Sequence, residues 1–222
     1  MSRKFLAAGL ALMVTGAAQA QTYARDHYGG SQGWSVDSAQ TVGFGETVVH
    51  LEGGWPGIPI TVLHGFGNSV DFGARFTFNY AYEGLVNDVF PGLKLQGIAR
   101  FKLLDTGSVK FGMTLEPGFL VYFPNSNNTL YGMALPVDFV LGFPVMSNFI
   151  ANAAIGFPMW VTFNNNGTFN FPISFGGGFE YFITSHVAIT FNLRLGPVIT
   201  TTSPTHNAFA MQKALFGVAF RL

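Results

Sequence analysis

The chain has 222 residues, no cysteine and a formal net charge of zero; 49% of its residues are hydrophobic, 25 are phenylalanine and only 10% are charged. This balance excludes a disulfide framework and a thiolate metal centre. It offers no basic surface for nucleic acid, and it lies far below the roughly 25% charge of an ordinary soluble domain.

Residues 1–20 read as an export signal. Arg3 and Lys4 precede the apolar run FLAAGLALMVTG, and AQA stands before Gln21. A basic start, an apolar middle and small residues at a cleavage point are the parts of such a signal. The run is too short to span a bilayer, and no later stretch offers about 20 uninterrupted apolar residues, which argues against helical membrane spans. No cysteine follows the run to take a lipid. Residues 21–40 (QTYARDHYGGSQGWSVDSAQ) have no sustained periodicity and are rich in Gly, Ser and Gln. They are predicted to be a leader, mobile or lying in the mouth of the domain that follows.

From about residue 41 the pattern is strand and turn. Ten strands are predicted, over 42–54, 58–66, 70–82, 91–103, 108–122, 130–143, 149–162, 168–182, 187–199 and 209–222. The first two are the least regular: ITVLHGFG mixes its faces and WPGIP reads as a turn or a break. Eight strands is the alternative. Elsewhere the alternation is strict. VDFGARFTFNY sets Val70, Phe72, Ala74, Phe76 and Phe78 against Asp71, Gly73, Arg75, Thr77 and Asn79. HVAITFNLRLG sets Val187, Ile189, Phe191, Leu193 and Leu195 against Ala188, Thr190, Asn192, Arg194 and Gly196. FNFPISF and FGVAFRL behave alike.

Side chains on a strand alternate between two faces, so each strand has one greasy face and one small, polar or charged face. Repeated over many strands of an exported chain, the greasy solvent is lipid. The predicted fold is all-β, an antiparallel up-and-down transmembrane β-barrel of ten strands over residues 41–222. Turn lengths agree with it. FGNS (66–69), LDTG (104–107), FPVMSN (143–148) and TSH (184–186) are compact, as periplasmic turns are. The other connections centre on WPG, YEGLVNDVFP (82–91), PNSNNT (124–129), NNNG (164–167) and TTSPTHN (201–207). Both termini are then periplasmic.

With those patterns, residues 41–222 resemble the small outer-membrane barrels of Gram-negative-type envelopes. The resemblance implies an outer-membrane location, outer-membrane lipid as a partner, and recognition of the last strand by the barrel-assembly machinery. Phe216, Val218 and Phe220 fit the terminal signal of that class, although the sequence ends in Leu222 rather than an aromatic residue.

Pro117, Pro136, Pro158, Pro172 and Pro197 fall inside five consecutive predicted strands, where proline cannot donate to a ladder. They are expected to form a belt near the outer edge of the bilayer. Tyr122, Phe123 and Trp160 lie just beyond it, where an aromatic girdle would sit.

Chemistry is harder to place. His27, His50, His64, His186 and His206 show no HxxxH or HxH spacing, so no metal site is expected. The best acid–imidazole grouping sets His50 on one face with Glu46 and Glu52. Ser185 beside His186 is not expected to form a catalytic pair, because neighbours on a strand point opposite ways. GGGFE at 176–180 continues a strand and opens no helix that could hold phosphate. No catalytic residue and no cofactor are predicted.

The inward face is more informative. By alternation it carries Glu46, His50, Glu52, Asp71, Arg75, Lys94, Arg100, Lys102, Lys110, Glu116, Asp138, Glu180, Arg194, Lys213 and Arg221. Arg75, Glu116, Asp138 and Arg194 are the candidate lumen charges near mid-height. The expected role is structural or narrow-pore transport of a small solute whose identity the sequence does not give. The alternatives are an outer-membrane enzyme acting on lipid or peptide, and a soluble β-barrel binding a hydrophobic ligand.

Overall fold

The computed structural model describes residues 33–85, 88–125, 128–163, 168–200 and 208–222. The predicted signal at 1–20, the leader up to 32 with His27, and the loop residues 126–127, 164–167 and 201–207 with His206 lie outside the described residues.

Among the described residues twelve segments are formed: β1 (Thr47–Trp55), β2 (Gly57–Gly65), β3 (Val70–Asn79), β4 (Gly92–Asp105), β5 (Lys110–Leu115), β6 (Gly118–Asn125), β7 (Asn128–Met146), β8 (Phe149–Thr162), β9 (Thr168–Pro172), β10 (Ser174–Phe182), β11 (Val187–Thr200) and β12 (Ala208–Arg221). β5 with β6, and β9 with β10, are single strands interrupted at a proline, so the twelve segments make a closed antiparallel barrel of ten strands. Each strand pairs with its chain neighbour, and β1 closes the circle on β12 from Val48 opposite Arg221 to Trp55 opposite Ala214. Closure leaves no unpaired edge. The end holding Thr47 and Arg221 is called the base; the end holding Trp55 and Asn79 is the rim.

The prolines interrupt donors without breaking strands. Glu116 N–H reaches Pro136 O at 2.9 Å, Gly97 N–H reaches Pro117 O at 2.8 Å and Ile173 N–H reaches Pro197 O at 3.0 Å. The residues beside Pro117 and Pro172 thus keep the ladder closed, and the carbonyls of Pro117, Pro136 and Pro197 still accept. Pro136 stands directly opposite Pro158 within β7 and β8. One bulge matters for the interior. Between Arg194 opposite Lys213 and Leu195 opposite Met211, Gln212 is the extra residue, and a bulge of this kind lets two consecutive residues turn the same way.

The two faces of the wall differ as the alternation demands. Outside lie Leu51, Ile60, Phe76, Leu95, Leu135, Phe175 and Phe216, with Phe119 64% exposed. Inside lie Asp71, Lys94, Arg100, Glu116, Glu180 and Arg194, all buried.

Two expectations change. β1 begins at Thr47 rather than 42, because the chain turns at Gly43 (φ 104°) and Gly45 (φ 76°), conformations that glycine tolerates. Val42 N–H is meanwhile drawn inward onto the Asp71 carboxylate at 3.1 Å. Tyr122 and Trp160 are not girdle residues. They share parity with Gly118 and Gly156 on the inward face and are buried, whereas Phe123, Tyr80, Tyr131, Phe163 and Phe169 point outward at the rim.

Candidate functional site: a charged chamber between a plug and a cap

At the base, Gly33–Val42 folds into the lumen as a plug. Trp34 is fully buried; its indole N–H donates to Ser185 O at 2.8 Å and its ring meets Phe182 edge-on at 5.0 Å. The guanidinium of Arg221 lies 5.9 Å from the same ring, a cation–π distance. With Val36, Val42, Val48, Leu63, Ile98, Ile150 and Phe182, Trp34 forms an apolar layer across the base.

Wall charges hold the plug by its backbone. The Glu180 carboxylate accepts N–H groups from Val36 at 3.0 Å, Asp37 at 3.2 Å and Ser38 at 2.9 Å, and the Ser35 hydroxyl. Successive N–H groups converging on one anion form a nest. Arg100 donates to Ser35 O at 3.0 Å, Ser38 O at 2.9 Å and Gln40 O, and stands 3.6 Å from Asp71. Lys110 donates to Gln40 Oε1. Gly112 makes room on the wall, since a Cβ there would stand 3.1 Å from the Ala39 side chain.

At the rim, the β3–β4 loop folds inward as a cap. Its single helical turn, Tyr82–Gly84, places Glu83 at φ 43°, a left-handed conformation that costs a bulky side chain energy. The carboxylate it delivers is well used: Lys94 Nζ donates to it at 2.6 Å and Tyr122 OH at 2.8 Å. Trp160 donates to Tyr82 OH at 2.7 Å, and Tyr82 meets Tyr122 and Trp160 edge-on. Burial pushes the Tyr82 hydroxyl well above the ordinary phenol range, so it remains neutral. Gly84 lies against β12 so closely that a Cβ would come within 2.4 Å of Gln212 O.

Between plug and cap lies a chamber of about 130 Å³, walled by Arg75, Glu116, Asp138, Arg194, Gln212 and Lys213 beneath the prolines Pro59, Pro136 and Pro158. Arg75 Nη1 donates to both oxygens of Glu116 at 2.9 and 2.7 Å, and its Nε to Thr61 Oγ1 at 2.8 Å. Gln96 donates to Glu116 O at 3.0 Å. Of the four mid-height charges read from the sequence, Arg75 and Glu116 are thus brought together. Asp138 and Arg194 line the same chamber, but among the described residues they form no ion pair within 4.0 Å.

The acid–imidazole grouping is reshaped. Glu46 belongs to the turn at Gly43, its N–H donating to Gly43 O at 3.2 Å. Glu52 stays with His50, Nδ1 to Oε2 at 3.7 Å, and Asp37 of the plug joins them. Burial opposes ionisation of Asp37, but His50, Lys213, Arg75 and Arg194 together hold its carboxyl below the usual range. Ser185 and His186 do meet, Oγ to Nδ1 at 2.8 Å, because both lie in a turn where strand alternation does not apply. The pair is exposed, and no carboxylate among the described residues orients the ring.

No protein-family model and no curated protein matches this chain.

Proposed function

We propose that this chain is an integral outer-membrane β-barrel with a structural or narrow-pore transport role, closed at rest by its own plug and cap. One observation carries the reading: the wall is apolar on its outside and charged within. A soluble barrel that binds a hydrophobic ligand needs the reverse, an apolar interior under a solvated exterior. Here the chamber is walled by Arg75, Lys94, Arg194, Lys213, Glu83, Glu116 and Asp138, while Phe76, Leu95 and Phe119 face out. The lumen charges act on the plug, the cap and each other, and in this reading they do no catalysis. A solute that passes is small and polar, because the chamber is small and its surface carries both signs.

Expression of the full chain followed by envelope fractionation tests this. Recovery with outer membranes, and a folded band that migrates faster before boiling than after, agrees with the proposal. Recovery as a soluble periplasmic monomer overturns it.

A further inference from the structure

The plug meets the wall at a cluster that hydrogen bonding does not satisfy. Glu52 on β1 is buried, its side chain 1% exposed, and among the described residues neither of its carboxylate oxygens has a hydrogen-bond partner; Asp37 Oδ2 on the plug is equally without one. The one basic group within 4.0 Å of Glu52 among the described residues is His50, whose Nδ1 stands 3.7 Å from Oε2; Asp37 has no ion pair within that distance among the described residues, and Lys213, Arg75 and Arg194 act on it from farther off. His50 Nε2 is engaged with Thr190 Oγ1 at 2.8 Å, which turns Nδ1 towards the two acids. Donor atoms of Asp37, His50 and Glu52 all lie within 4.8 Å of one another.

We infer that Asp37, His50 and Glu52 form a divalent-cation site that fastens the plug to β1. An imidazolium alone cannot complete this cluster. Its Nδ1–H is beyond hydrogen-bonding distance of Glu52, and it would leave further carboxylate oxygens unserved in a place where uncompensated charge is costly. A cation bound to all three takes up those lone pairs together. Donors at about 2.0–2.2 Å from a metal stand closer together than these do, so small side-chain rotations close the site. One imidazole, two carboxylates and no thiolate suit a first-row ion such as Zn²⁺ or Mn²⁺ rather than a soft ion. The bond from Nε2 to Thr190 is the outer-shell contact that fixes a ligating imidazole. The three ligands come from two parts of the fold, so the ion strengthens closure of the base. None of this depends on the barrel lying in a membrane.

The test uses the full chain, folded in detergent and stripped with EDTA, titrated with Zn²⁺ by calorimetry, with melting temperature as a second reading. The expected result is one Zn²⁺ per chain and a rise in melting temperature. Asp37→Asn, which leaves the wall intact, and His50→Gln should each weaken binding about tenfold or more and abolish the rise. A chain carrying His27→Gln and His206→Gln should bind as before. No binding, binding unchanged in Asp37→Asn, or binding lost with His27 and His206 would each overturn the inference.

Discussion

Glu180 of β10 holds the backbone of Val36, whose N–H donates to Glu180 Oε2 at 3.0 Å across 144 residues of sequence. A wall carboxylate thus serves as the socket for the plug, and much of the buried charge that looked like lumen lining is fastening. Arg100, Asp71 and Lys110 are engaged in the same way.

Removing the socket should release the plug. Glu180→Ala leaves the N–H groups of Val36, Asp37 and Ser38 without their anion, and Arg100 cannot replace it because it is a donor. A loss of about 2 kcal/mol is expected, as for buried donors left without an acceptor, measured by urea unfolding in lipid vesicles. Gly112→Leu should displace the plug by bulk instead, with the wall's ion pairs intact.

The cap should depend on Glu83 for both its fold and its charge. Glu83→Ala removes the acceptor of Lys94 and Tyr122 and leaves an ammonium buried, a loss of about 3 kcal/mol. Glu83→Gly relieves the left-handed strain by about 1 kcal/mol and should be less damaging than alanine. The difference between the two variants in denaturant midpoint checks this.

Permeation should require two openings in series. The intact chain is expected to show little or no conductance in planar bilayers, since open aqueous channels belong to barrels of about 16 strands or more. Arg194→Ala or Glu116→Ala alone should leave it low, because neither residue seals an end. Deleting residues 33–41 together with Tyr82→Ala and Glu83→Ala should raise it, and neither change alone should do so. A large conductance from the intact chain would identify a general diffusion channel.

Facing can be probed one residue apart. Phe76→Arg puts a charge on the outward face, at a cost of about 2–4 kcal/mol if that face meets mid-bilayer lipid. Thr77→Arg points into the chamber and should assemble more readily. Folding yield into lipid vesicles reads the difference.

The barrel was legible because a two-faced wall writes period two into the chain, as in Phe72, Phe76 and Phe78 against Asp71, Arg75 and Thr77. The prolines misled less than their chemistry suggests, since Glu116 and Ile173 keep the ladder closed beside them. The plug was legible only as one of two alternatives, a segment lying in the mouth or a mobile one. Trp34–Val42 has no period because it is held by groups distant in sequence, Glu180 and Arg100, and nothing in SVDSAQ announces those partners. Tyr122 and Trp160 read as girdle residues by composition, yet parity with Gly118 and Gly156 already placed them inside. Asp37 could not be set beside His50 without the path of the plug.

The proposed function rests on lipid being the solvent of the outer wall, and the absence of cysteine makes a direct measurement straightforward. Single cysteines replacing Phe76, Leu95 and Phe119, each carrying an environment-sensitive fluorophore, would be compared with one replacing Asn68 in a base turn, after folding into vesicles that contain nitroxide lipids. Strong quenching by the lipid nitroxide is expected at the three wall positions and little at position 68. Equal access of all four labels to a water-soluble quencher, with no response to the nitroxide lipid, would contradict it.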